Sequence, residues 1–253
     1  MIHRAQPLLG TLVSIRADAT ETAMRAAFAS VATVHRLMSA QSDASDLACI
    51  NRNAHREPVR VHPWTYWVLR AAVALSRSSE GAFDVTLRRR GASFHDIELL
   101  ANNQVRLHRR ARLSLDGIAK GFAVDRAVDT LRGFGARSGS VNAGGDLRVF
   151  GDLAPTIMVR LPRNPGFTVP VCHARSESVA TSSGYFGSTL HDGRNGRALR
   201  ADSSITVRAR NCMLADALTK VVAAAGPRPA LLRRYRASAY LIDGKGTLHE
   251  ALS

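Results

Sequence analysis

Lysine is nearly missing from this chain. Of its 35 basic residues, 32 are arginines and only Lys120, Lys220 and Lys245 are lysines. Where a lysine is kept in such company, a compact ammonium rather than a planar guanidinium is wanted. Cysteine is also scarce. Cys49, Cys172 and Cys212 are odd in number and far apart, which excludes a disulfide framework and any spaced metal or redox motif. A reducing compartment follows as the simpler expectation. No apolar run approaches the roughly 20 residues of a membrane span. No small-residue cleavage site follows a long apolar run, and no lipobox cysteine is seen, so the expected location is cytoplasmic. Aromatics are only 6%, too few to interleave with the short arginine clusters at 88–90, 109–112 and 233–236 as a single-strand or RNA platform would need. There is no internal repeat, no low-complexity linker, no P-loop and no Gly-x-Gly-x-x-Gly fingerprint.

What is present suits a folded protein with an anionic partner. The chain has 253 residues, 45% of them hydrophobic, enough for a core without staples. Its net charge of +15 favours a phosphorylated ligand, a nucleic acid or an anionic surface. Because the charge is spread along the chain, no specific nucleic-acid partner is expected.

Taken in order, Leu9 to Ile15 reads as a strand, and Thr20 to Met38 as an amphipathic helix with apolar residues at threes and fours. A polar stretch, MSAQSDASDLACIN, ends in a helical turn near Leu47 to Asn51. Val59 to Val61 reads as a short strand, and Pro63 opens a helix running to about Arg77. Gly81 to Thr86 is a turn holding an aromatic, a carboxylate and a hydroxyl, and Val105 to Leu107 is a strand. Strands are expected again at Thr156–Leu161, Phe167–Val171, Ser178–Thr181, Ile205–Val207 and Ala239–Ile242. Helices are expected from Met213 to Ala225 and from Pro229 to Tyr235. The pattern predicts one α+β domain of interleaved strands and helices over residues 1–253, with two lobes permitted.

The stretch from Leu113 to Gly151 organises the rest. An apolar run at Leu113–Leu115 reads as a strand, Gly117 follows, and a helical pattern starts at Ile118. After Gly133 and Gly135 come two further strands, Ser140–Ala143 and Asp146–Phe150, joined by Gly144 and Gly145. The first N–H groups of a helix lack internal partners and attract anions. Lys120 lies in that first turn, so a phosphate is expected near Gly117 to Gly121.

Eight segments, in order, resemble the FAD:protein FMN transferases, the ApbE-type flavin transferases. Leu9-Gly10-Thr11 resembles the family's Met-Gly-Thr. MSAQSDASDLACIN resembles Ser-Thr-Tyr-x-x-x-Ser-x-Leu-x-x-x-Asn, with Gln41 in place of Tyr. Gly81 to Thr86 resembles Gly-Ala-Phe-Asp-Pro-Thr, with Val85 for Pro. Leu113 to Asp125 resembles Leu-Asp-Leu-Gly-Gly-Ile-Ala-Lys-Gly-Tyr-Ala-Val-Asp, with Ser114 for the first Asp and Asp116 for the first Gly. Asn142 to Asp146 is Asn-Ala-Gly-Gly-Asp. Ala180 to Gly184 resembles Ala-Thr-Ser-Gly, Asp192 to Arg197 resembles Asp-Pro-Arg-Thr-Gly-Arg, and the segment from Ala215 to Lys220 resembles Ala-Asp-Ala-Leu-Ala-Thr.

The resemblance implies an ApbE-like, T-fold-like architecture of mixed or antiparallel sheets packed with helices. It implies FAD as substrate, Mg2+ as cofactor, and transfer of FMN to a Thr or Ser hydroxyl of an acceptor protein with release of AMP. Two alternatives stand beside transfer: an FAD-binding protein without transferase activity, and hydrolysis of FAD to FMN and AMP. The flavin-site positions carried over are Leu9, Gln41, Ala82, Phe83, Asp84, Ser114, Lys120, Thr181 and His191. The catalytic positions are Lys120, His191 and Asp192, with Asp84 a further candidate base. The family's usual histidine position is occupied by Thr189, and His191 is the nearby imidazole. The metal positions are Gly117, Asp216 and Thr219. Thr219 stands in because position 220, where the family has Thr, is Lys.

Overall fold

The computed structural model of this chain describes residues 1–183, 190–199 and 202–251. Gly184 of the hydroxyl-rich motif and Thr189 lie outside them. The chain opens with β1 (Ile2–Leu8) and β2 (Thr11–Ala17), followed by α1 (Glu21–Met38) and α2 (Asp46–Asn53). Next come β3 (Val59–Arg60), α3 (Pro63–Ser78), β4 (Ile97–Leu100) and β5 (Gln104–Leu107). The central stretch gives α4 (Ala119–Gly133), β6 (Gly139–Ala143) and β7 (Asp146–Phe150). The remainder is β8 (Thr156–Arg160), β9 (Thr168–His173), β10 (Ser178–Ser183), β11 (Ser204–Ala209), α5 (Cys212–Ala225), α6 (Pro229–Tyr235), β12 (Ser238–Ile242) and β13 (Leu248–Ala251).

Eight strands form the main sheet in the order β1-β2-β6-β7-β10-β11-β12-β13, every neighbouring pair antiparallel. β3, β5 and β4 make a small antiparallel sheet, and β8 pairs with β9 in a two-stranded one. Alternation sets the buried face: in β2, Val13, Ile15 and Ala17 point into the core, and Val141 and Ala143 of β6 continue it. Over that face lie α4 and α5. α4 packs against α1 on one side and α5 on the other, and α5 touches β10 and β11. The helix ends follow local chemistry. The Thr20 hydroxyl accepts from the N–H of Ala23, and the Ser45 hydroxyl from that of Ala48. Pro63 opens α3, where a missing N–H costs nothing.

Gly121 fixes how closely α4 and α5 approach. A Cβ built on it would stand 2.2 Å from the carbonyl oxygen of Cys212. Asp125, one turn further along α4, accepts from the N–H groups of Cys212 (3.0 Å) and Met213 (2.9 Å) and from Arg148 (2.7 Å). The last residue of the Leu113–Asp125 motif therefore caps a neighbouring helix. Burial pushes its carboxyl above the ordinary value despite Arg148 and the two N–H groups.

Three expectations change. The strand expected at Leu9–Ile15 starts at Thr11 and runs to Ala17 as β2, its first two expected residues being the turn that joins it to β1. Leu9 (φ 57°) and Gly10 (φ 69°) form a two-residue hairpin turn of left-handed conformation. β1 escaped notice because its residues are largely exposed and carry no alternating apolar pattern. Leu113–Leu115 joins no strand. Its backbone is bonded instead to the Asn51 side-chain amide, which accepts from Leu113 N–H at 2.7 Å and donates to Leu113 O at 3.1 Å, while Ser114 N–H donates to Val85 O. β4 and β13 were also unforeseen.

Candidate functional site

Antiparallel pairing brings the start of β2, the end of β6, the start of β7 and the end of β10 to one end of the sheet. The β1–β2 turn and the β6–β7 turn meet there. A Cβ on Gly144 (φ 61°) would come within 2.7 Å of the Thr11 hydroxyl, so only glycine fits both the space and the conformation. These turns wall a cavity of about 1070 Å³, large enough for a dinucleotide-sized ligand. Its other walls are the 82–87 loop, the segment at Ser114–Gly117, β8 and His191. Lys120 and Lys220, two of the chain's three lysines, line it as well.

Four charged side chains lie under the cavity. Lys120 Nζ, the first, donates to Asp146 Oδ2 at 2.6 Å, and Lys220 Nζ donates to Asp216 Oδ1 and, at 3.0 Å, to Ser182 Oγ. Both aspartates are buried, whereas the Lys120 side chain is 33% exposed and that of Lys220 17%. Two carboxylates and two ammoniums balance. Burial pushes the Asp146 carboxyl up to about 6, with the charge of Asp216 adding and Lys120 and Lys220 opposing. Burial alone would raise Asp216 too, but Lys220, Lys120 and the Gly121 N–H outweigh it and hold that carboxyl below its ordinary value. Burial alone would lower Lys120, but the charges of Asp216 and Asp146 outweigh it and hold the ammonium well above its usual range.

Not every expected position reaches the cavity. Leu9, Ala82, Phe83, Asp84, Ser114, Lys120, Thr181, His191 and Gly117 line it. Gln41 does not: it is exposed in the loop after α1, bonded to Ser39. Asp192 does not either. Its carboxylate accepts from Arg194 Nε at 2.9 Å and Nη2 at 2.7 Å, and these bonds hold it below the usual range. It shapes the 192–197 loop, which docks on Ala82 through Gly193 N–H. Asp84 is buried, accepting from the N–H of Thr86 (2.8 Å) and Phe94 (3.0 Å). Burial raises its carboxyl despite these bonds, so its place in the wall is that of a loop brace. Ser114 donates to Asp116 Oδ2 at 2.8 Å, which puts the displaced carboxylate of this motif at the rim. Asp146 is a residue of this site that the sequence reading did not assign, whereas Ser182, expected near the flavin pocket with Thr181, lines the cavity. The signal for Asp146 was its position closing the Asn142–Asp146 motif.

The helix start does not offer the donors expected of it. The N–H groups of Ile118 and Ala119 go to Leu115 O, and that of Gly121 goes to Asp216 Oδ2 at 3.2 Å. An aspartate already occupies the anion position, and the positive charge lining the cavity comes from side chains, Lys120, Lys220, Arg89 and Arg160.

The expected metal donors do not fit magnesium as they stand. Asp216 has one oxygen on the Lys220 ammonium and the other on the Gly121 N–H. The Thr219 hydroxyl donates to Asp216 O at 2.7 Å and is 2.7 Å from Ser182 Oγ. The Lys220 stem lies beside Gly117, its Cε 3.5 Å from a Cβ built there. Magnesium wants a near-octahedral set of oxygens. A divalent ion about 4 Å from an ammonium would be repelled by about 8 kcal/mol at an effective dielectric of about 20. Among the described residues no group of three or more His, Cys, Asp and Glu is placed to hold a metal.

A family model described as ApbE family matches residues 9–241. Among curated proteins, the FAD:protein FMN transferase of Treponema pallidum (strain Nichols) is 28% identical over 232 residues, taking in 72% of this chain and 64% of that protein. The match thus spans less than two thirds of that relative's length. Among solved structures, flavin transferase ApbE from Vibrio cholerae superposes with a TM-score of 0.87 at 22% identity, covering 100% of this chain and 97% of that one. The apbe protein of Thermotoga maritima gives a TM-score of 0.87 at 24% identity, over 99% and 96% of the two chains. The apo flavinyl transferase ApbE of Pseudomonas stutzeri gives 0.85 at 20%, over 99% and 94%. At these identities the structural matches show the shared fold.

Proposed function

This chain belongs to the ApbE family, and from that premise we propose that it transfers FMN from FAD to a threonine or serine hydroxyl of an acceptor protein. The acceptor oxygen attacks the phosphorus of the FMN half, the bond from that phosphorus to the AMP phosphate oxygen breaks, and AMP leaves with that oxygen. The observation that carries this reading is the pair of ammonium groups, Lys120 and Lys220, facing a cavity of dinucleotide size. A diphosphate diester carries two negative charges, and charge grows on the leaving phosphate as the bond breaks. Fixed cations in a partly desolvated site stabilise both.

The hydroxyl proton needs an acceptor, and of the three candidate bases His191 is the one best placed. Asp192 is held by Arg194, and both oxygens of Asp84 are engaged by backbone N–H groups. An imidazole at the cavity wall can take up that proton. Phe83 and Ala82 offer the flavin an apolar wall. The three cysteines are unbridged, which suits a cytoplasmic setting. Among the described residues no helix is long and apolar enough to cross a membrane.

One incubation tests the proposal: protein, FAD and a candidate acceptor domain, read by acceptor mass and AMP release. Acceptor heavier by one FMN, with AMP in equal amount, is the expected result. FMN and AMP with unmodified acceptor would mean hydrolysis instead. Bound, intact FAD would mean a flavin-binding protein.

A further inference from the structure

We infer that the Lys220 ammonium takes the place of a divalent cation at Asp216, so that this chain holds a diphosphate ligand with a lysine pair and without metal. The inference rests on the flavin reading above for the identity of that diphosphate. Three observations carry it. The Lys220 ammonium is bonded at once to Asp216 Oδ1 and to Ser182 Oγ, joining the α5 carboxylate to the end of β10. The Lys220 stem fills the space beside Gly117, and the other expected donors are already paired, Thr219 with Asp216 O and Ser182, and the second Asp216 oxygen with Gly121. Lastly, Asp146, Asp216, Lys120 and Lys220 cancel in charge under the cavity. A divalent ion added to that neutral set would leave a net charge of +2 in a largely buried place, whereas an anion arriving from the cavity meets two ammoniums already fixed and partly desolvated. Lysine is used at these two positions in a chain that has 32 arginines and only one other lysine, Lys245. An ammonium is a compact point charge, which is what a cation's place on a single carboxylate oxygen demands.

Two measurements test this on the parent protein. Paramagnetic resonance of Mn2+ with equimolar protein reads metal binding with no flavin present. The expected spectrum is that of the free ion; stoichiometric Mn2+ binding by the parent would overturn the inference. FAD affinity, read by flavin fluorescence, should agree within about twofold in excess chelator and in excess magnesium. An affinity about tenfold or more tighter with magnesium would overturn it. Lys220→Thr supplies the converse. It should gain Mn2+ binding, bind FAD about tenfold more weakly than the parent in chelator, and recover with magnesium. A Lys220→Thr protein that binds FAD in chelator as the parent does would also overturn it. If the parent binds neither FAD nor Mn2+, the flavin reading fails while the exclusion of metal by Lys220 stands, because the Mn2+ measurement needs no flavin.

Discussion

Asp146 is the group beneath the cavity whose charge changes nearest to neutral pH. Its folded value of about 6 lies above the ordinary 3.8 because of burial and the nearby Asp216 charge. As pH falls through about 6, Asp146 takes a proton and the four-residue set goes from neutral to one positive charge. The diphosphate of FAD keeps its charge over this range. FAD should therefore bind more tightly at about pH 5 than at about pH 7.5, and Asp146→Asn should flatten the dependence; fluorescence titrations at the two pH values read both. The stability sign is separate. A raised carboxyl means the folded state keeps a proton that the unfolded chain releases, so this group's contribution falls as pH rises from about 4 to about 6. Asp216, held low, acts in the opposite sense, its contribution being present above the unfolded value and lost as pH falls through the folded one. Phe83 offers a second test at this scale. It is buried in the cavity wall, and truncation to alanine would cost about 3–5 kcal/mol by itself. Phe83→Leu keeps most of the volume and loses the ring, so flavin quenching should weaken with a smaller change in melting temperature. Quenching equal to the parent's would leave Phe83 a core residue only.

At the scale of elements, the crossing of α4 and α5 sets where Lys120, Asp216 and Lys220 stand, and β7 brings Asp146 to them. Gly121 permits the crossing, and its N–H also orients Asp216. Gly121→Ala would drive a methyl into the Cys212 carbonyl and force the helices apart, destabilising the protein by about 1–3 kcal/mol or more. FAD affinity should fall with it, because Lys120 rides on α4 and Lys220 on α5. Gly133 is the control. It closes the same helix with nothing within 4 Å of an added Cβ and no positive φ, so Gly133→Ala should be neutral or stabilise by about 0.4–1 kcal/mol. Urea unfolding of the two variants beside the parent checks both directions.

For the whole molecule, the net charge of +15 should act through long-range attraction. Binding to nucleic acid should be weak, without sequence preference, and steeply reduced by salt. Fluorescence anisotropy with unrelated oligonucleotides across a salt series checks this, and a tight, sequence-selective complex at physiological salt would contradict it. The same charge should speed encounter with FAD at low ionic strength while leaving the bound geometry to the lysine pair.

The sequence by itself determined the parts whose causes are local. Thr20 and Ser45 cap α1 and α2 by their own hydroxyls, Pro63 opens α3, and Gly144-Gly145 turns β6 into β7, because a cap or tight turn depends on a few adjacent residues. The ordered motifs were legible for the same reason, and they brought most of the cavity wall with them. The tertiary structure alone decided which distant groups meet. Lys120 and Asp146 are 26 residues apart and Gly121 and Asp216 are 95 apart, so their pairing depends on strand order and on the α4–α5 crossing. Leu113–Leu115 has a strand's composition yet joins no sheet, because the Asn51 amide, 62 residues away, takes up its backbone groups. Asp192 and Lys220 changed roles on folding for one shared reason. A charged side chain brought out of water keeps the opposite charge beside it. The partners, Arg194 two residues on and Asp216 four residues back, are local in sequence, and only the burial of the two aspartates was decided by the fold.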